Sequence, residues 1–174
     1  MSELDTPVDH FAGCHVGIVA QLHQLSALPA LLAPAQLARR SAEQALAFFN
    51  KGMLAHHSEE EQDLFPAVLA SAAPGAEREQ VKGLIAQLTL DHRTLEQMWQ
   101  SLVPDLKRVA KGQDAQLSEY TLTQLVTRYR AHAALEEREF LPLAQSILGR
   151  NDHHMAALGL SLHMRHVPAF VGHL

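Results

Sequence analysis

The chain has 174 residues, 47% of them apolar and 19% charged, and a formal net charge of −5. That is the size of one ordinary domain, able to bury a full core without staples. Its basic residues are scattered (Arg39-Arg40, Lys107-Arg108, Lys111) and leave no footprint for nucleic acid, and a lone Cys14 excludes an intramolecular disulfide or a cysteine-built metal centre within the chain.

Glu3, Asp5 and Asp9 precede the first apolar run, and no stretch reaches the roughly 18 uninterrupted apolar residues of a membrane span. The expectation is a cytoplasmic protein with neither a membrane nor a nucleic-acid partner.

Thr6-Pro7 reads as an N-cap followed by proline at the first helical position. The first helix is predicted to run to about Leu28 and stop before Pro29, with Val8, Phe11, His15, Ile18, Leu22 and Leu25 forming its apolar stripe. Cys14, beside His15, reads as a small buried hydrophobe.

A second helix is expected from Ala35 to about Ala72, ending at Pro74-Gly75. Its seam runs Ala42, Ala45, Phe49, Met53, His56, Glu60 and Leu64, with Pro66 bending its last turns. A third, from Ala76 to about Lys111, aligns Val81, Leu84, Leu88, His92, Leu95, Trp99, Leu102 and Leu106, with a kink at Pro104. Ser118 caps a fourth that runs to about Leu148 and stripes Leu122, Leu125, Tyr129, His132, Glu136, Phe140 and Leu143. A short fifth helix over residues 153–166 and a tail carry His153, His154, His163, His166 and His173 in irregular order. The expected fold is a single all-α domain over 1–174, an antiparallel up-and-down four-helix bundle over about 7–148 with a short C-terminal helix and tail over about 151–174.

Within this pattern one motif occurs twice. His56-x-x-x-Glu60 with Pro66 and His132-x-x-x-Glu136 with Pro142 share their spacing, and each has a histidine far upstream, His15 and His92. A helix brings residues i and i+4 to one face, so each copy offers an imidazole and a carboxylate pointing the same way. All six polar residues fall in apolar seams, where an unpaired carboxylate costs several kcal/mol, roughly, unless it is neutralised. A pair of cations supplies that neutralisation, and imidazole with carboxylate suits iron, manganese or zinc better than calcium or magnesium.

On these residues the chain resembles the hemerythrin-like proteins of the HHE cation-binding family over about residues 8–148. The resemblance implies a non-haem di-iron centre, two iron ions with an oxo or hydroxo bridge. His15, His56, His92 and His132 would be terminal ligands and Glu60 and Glu136 bridges. It also implies a small ligand such as O2, NO or peroxide, in sensing or in iron or redox homeostasis, with a peroxidase or ferroxidase-like enzyme as the alternative and a protein partner if it signals. Oxygen-carrying members place a further histidine where Glu96 stands and their last carboxylate where Glu137 stands, so the set here is closer to a symmetric four-histidine, two-glutamate version.

Four neighbours are open as contributors. Glu96 lies one turn after His92, His57 and Glu61 repeat the HxxxE spacing one residue out of phase, and Tyr129 could donate to a bound ligand.

Overall fold

The structure, a computed structural model, describes residues 7–150, with side chains from residue 15 onward. The expected fifth helix and the histidine-rich tail lie outside the described residues, as does the side chain of Cys14.

Among the described residues the fold is all-helical, in three long rods. The first combines α1 (Pro7–Phe48), a π-turn at Phe49–Met53, α2 (Leu54–Glu59), a second π-turn at Glu60–Leu64 and α3 (Phe65–Ser71). The second is α4 (Ala76–Ala110). The third combines α5 (Glu119–Leu135), a π-turn at Glu136–Phe140 and α6 (Leu141–Leu148).

Local chemistry explains where the chain turns. Gly75, at φ 98°, and Gly112, at φ 68°, take up backbone conformations that side chains resist, one before α4 and one after it. Ser118 caps α5 as its position suggests, its Oγ accepting from the Thr121 N–H at 3.1 Å.

The first rod departs from expectation. Pro29 was to end the first helix, yet α1 passes through both Pro29 and Pro34. Each proline removes one backbone donor, but the neighbours Ala30, Leu31, Leu32 and Ala33 are strong helix formers, and there is no glycine between Gly17 and Gly52 to reverse the chain. By contrast α4 continues across Pro104, as expected of the third helix. Within residues His15–Ser71 this rod is long and apolar enough, by length and composition, to cross a membrane, and its most apolar window, of mean hydropathy 1.4, is entirely unburied.

The apolar core forms in two parts. One gathers Phe65, Val68, Val81, Leu88, Phe140, Ile147 and Leu148 from α3, α4 and the end of the third rod. The other gathers Ala42, Met53, Leu95, Trp99, Leu102, Leu106 and Leu125. On each rod the polar residues of interest fall between them: His57 and Glu60 between Met53 and Leu64, His92 between Leu88 and Leu95, His132 and Glu136 between Leu125 and Phe140. A polar layer therefore separates two oily ones.

Candidate metal centre

The two π-turns flanking this layer have a common cause. Pro66 and Pro142 cannot donate to the carbonyl four residues back, and their rings crowd it. The preceding turn widens instead, so that the N–H of Phe65 reaches Glu60 O and that of Leu141 reaches Glu136 O, five residues back in each case. Both widened turns begin on the glutamate of an HxxxE motif. π-Turns of this kind are frequent at functional sites, where they re-aim a side chain.

Five charged or titratable residues are buried in the layer: His57, Glu60, His92, His132 and Glu136. One ligand atom from each of Glu60, His92, His132 and Glu136 lies within 4.8 Å of the others, and so do those of His57, His92 and His132. His92 Nε2 is 3.3 Å from Glu60 Oε2 and 4.0 Å from Glu136 Oε1, and His132 Nε2 is 3.3 Å from Glu136 Oε1. The His57 and His92 rings stack at 3.9 Å, and the His132 ring stands edge-on to His92 at 4.8 Å.

Outer carboxylates orient the imidazoles. His57 Nδ1–H donates to Glu96 at 3.0 Å and His92 Nδ1–H to Glu61 at 2.8 Å, while Asp91 Oδ2 lies 3.9 Å from His132 Nδ1. Arg93 ties Glu61 to Glu96 by pairing with both. A carboxylate on Nδ1 holds the proton there and leaves Nε2 as a lone-pair donor, the tautomer a metal ligand needs.

Charge is poorly balanced in this layer. Burial, then Glu60, pushes the Glu136 carboxyl up to about 8. Burial also opposes charge on Glu60, but His92 and His56 outweigh it and hold that carboxyl below its ordinary range, so the pair shares one negative charge. Burial, then His92 and His57, pushes His132 down to about 4. Burial lowers His57 as well, partly offset by Glu96. His92 alone rises, since Glu60 and Glu61 overcome its burial.

Polar atoms here are also orphaned. His57 Nε2, Glu60 Oε2, His92 Nε2, His132 Nε2 and Glu136 Oε1 are buried without a hydrogen-bond partner, and buried polar groups in native proteins nearly always have one. Three imidazole nitrogens and two carboxylate oxygens converging without partners fit a transition-metal cation.

Four of the six residues singled out in the sequence, Glu60, His92, His132 and Glu136, are thus brought together. His56 stands at the edge, its side chain one-third exposed and its Nε2 3.6 Å from Glu60 Oε1. His15 is exposed on α1, roughly 60 Å from His56 along the helix axis at 1.5 Å per residue. His57, a lesser candidate on sequence, is more deeply buried than His56 because the inward face runs Met53, His57, Glu60, Leu64. A period of 3.6 places the third and fourth residues after Met53 equally well. Glu61 and Glu96 hold imidazoles from outside, Glu137 is exposed, and Tyr129 packs edge-on to His132 at 5.9 Å.

Geometry and donor set define a helical protein with a buried histidine–carboxylate site for cations. Residues 6–144 match the hemerythrin HHE cation binding domain. The chain belongs to that family. It is also 30% identical over 158 residues to an uncharacterized protein of Haemophilus influenzae, covering 87% of this chain and 88% of the other. No solved structure matches it significantly.

Proposed function

We propose that the cluster holds two non-haem iron ions, with Glu60 and Glu136 bridging them and His56, His92 and His132 as terminal ligands, and that the protein binds O2, NO or peroxide in sensing or in iron or redox homeostasis. The observation that carries this reading is the set of buried, partnerless nitrogen and oxygen atoms lying between two apolar layers. When bound, the ions would supply an open coordination position for a small ligand. The chain's own residues set the conditions. Phe65 and Phe140, 5.0 Å apart and edge-to-face, close the layer on one side, while Glu61, Glu96 and Arg93 fix the imidazoles.

Completed in this way, the fold is an antiparallel four-helix bundle whose remaining helix carries His15 as a further ligand. The protein would work in the cytoplasm, apart from nucleic acid and membranes. Metal analysis after anaerobic addition of Fe(II) tests the proposal: two irons per chain are expected, and none would refute it.

A second reading, a peroxidase or ferroxidase-like enzyme on the same centre, draws on Tyr129. Burial, then Glu136 and Glu60, raises its hydroxyl above the ordinary value, so it keeps a proton beside His132. Peroxide turnover lost in Tyr129→Phe, with iron content unchanged, would favour the enzyme. Turnover absent from the wild type would exclude it.

A further inference from the structure

Every side chain from His15 to Ser41 is exposed. Nine large apolar residues lie on this part of α1, among them Val16 at 71%, Leu25 at 60% and Leu31 at 61% exposure. A solvated helix does not hold such a face for nothing, because contiguous exposed apolar surface marks an interaction site. The match to the cation-binding domain begins at residue 6, so this part of α1 belongs to the domain, although only the end of α1, from Ala42 onward, packs on the chain's own core.

We propose that two copies of the chain exchange this helix: residues 15–33 of one copy cover the open side of the other's polar layer and bring His15 to it. The inference rests on the metal reading above. His15 is the repeat counterpart of His92, whose ring sits at the middle of the cluster, and of the histidines in and beside the buried cluster His56 is the most exposed. A second copy is the occupant that the rod itself selects. Folding back onto the same core would require breaking α1 between Leu28 and Ala35, where strong helix formers lie and nothing favours a left-handed turn. A straight rod carries His15 away from its own site and toward a neighbour's, and exchange of an identical element between two copies is a low-cost route to a dimer.

The area suffices. The eight exposed aliphatic side chains within residues 15–33 offer on the order of 500 Å² of apolar surface per copy. Each helix covers a similar area of the core that receives it, and the exchange does so twice, so the contact reaches the order of 2,000 Å² in total, at the upper end of standard stable interfaces. A lipid bilayer is the less suited occupant, because Gln21, His23, Gln24 and Ser26 interrupt the apolar run.

The test combines mass and mixing. Light scattering on the full-length protein should give a dimer, and Leu22→Asp/Leu25→Asp, which alters side chains that the isolated chain leaves in water, should give a monomer. His15→Ala and Glu136→Gln chains, unfolded and refolded together, should regain about a quarter of wild-type Fe(II) loading, because half of the dimers are mixed and each then holds one intact site. The loading is read at an iron level that leaves either variant empty by itself.

A monomeric wild type, a dimer with no gain on mixing, or a chain that partitions into phosphatidylcholine vesicles instead of dimerising would overturn the exchange. If the wild type binds no iron, the metal reading falls. The exchange is then decided by mass alone, and a Leu22→Asp/Leu25→Asp chain that stays dimeric would refute it.

Discussion

The His57 and His92 rings lie face to face, 3.9 Å between centroids and 6° from parallel, each with its Nδ1 tied to a different glutamate, Glu96 and Glu61. Two imidazoles so placed repel if both are protonated, and burial makes that repulsion stronger than it would be in water. The stack is stable when at least one ring is neutral, which is also the state in which a ring can bind a cation.

A pH dependence of the metal-free protein follows. Glu136, raised from 4.5 to about 8, and His92, raised above 6.5, hold their protons more tightly folded than unfolded, so the stability they contribute is lost as pH rises through their folded values. His57 and His132 are depressed, and what is left of their opposing contribution above pH 6.5 is small, at most about 0.4 kcal/mol each. Between roughly pH 6.5 and 8 the loss dominates, at up to about 1.4 kcal/mol per pH unit for each proton released. Urea unfolding of apo-protein at pH 6.5 and 8 should therefore show falling stability, on the order of 2 kcal/mol. Stability that rose over this window would show that the carboxylate pair is not buried together.

Glu136→Gln keeps the shape of the side chain and removes the charge that burial and Glu60 oppose. The apo-variant should be more stable than wild type at pH 8, by about 1–3 kcal/mol, because the buried wild-type carboxyl must hold a proton that the unfolded chain would release, whereas glutamine is neutral in both states. The same change should abolish iron loading. A residue whose removal stabilises the fold is kept for function, and a destabilised variant would mean that Glu136 serves the fold instead.

The prolines following the motifs invite a third experiment. Restoring a backbone donor in Pro66→Ala or Pro142→Ala allows the π-turn at Glu60–Leu64 or Glu136–Phe140 to relax to an α-turn and rotates the glutamate at its start. Iron affinity is expected to fall at least tenfold with helix content unchanged by circular dichroism. Unaltered affinity would make the widened turns incidental.

Much of this was legible in the chain. The helical stripes placed Val81, Leu88, Leu95, Trp99 and Phe140 in the core, and the doubled HxxxE brought Glu60, His132 and Glu136 together with His92. The rest depended on contacts that periodicity does not carry. Whether His56 or His57 turns inward is decided by how the first rod meets α4. The path of α1 through Pro29 and Pro34 turns on the residues between the prolines more than on the prolines themselves. The outer carboxylates Glu61 and Glu96 could be found only once the imidazoles they hold were placed.

The most direct test is the thermal unfolding of wild-type protein with and without Fe(II), beside the Glu60→Gln/Glu136→Gln double variant under the same conditions. A ligand bound only by the folded state at a hundredfold excess over its Kd adds about 2.7 kcal/mol. The wild-type Tm should climb by several degrees with iron while that of the variant stays where it was. A wild-type Tm indifferent to iron would mean that the buried carboxylates and imidazoles are not a cation site.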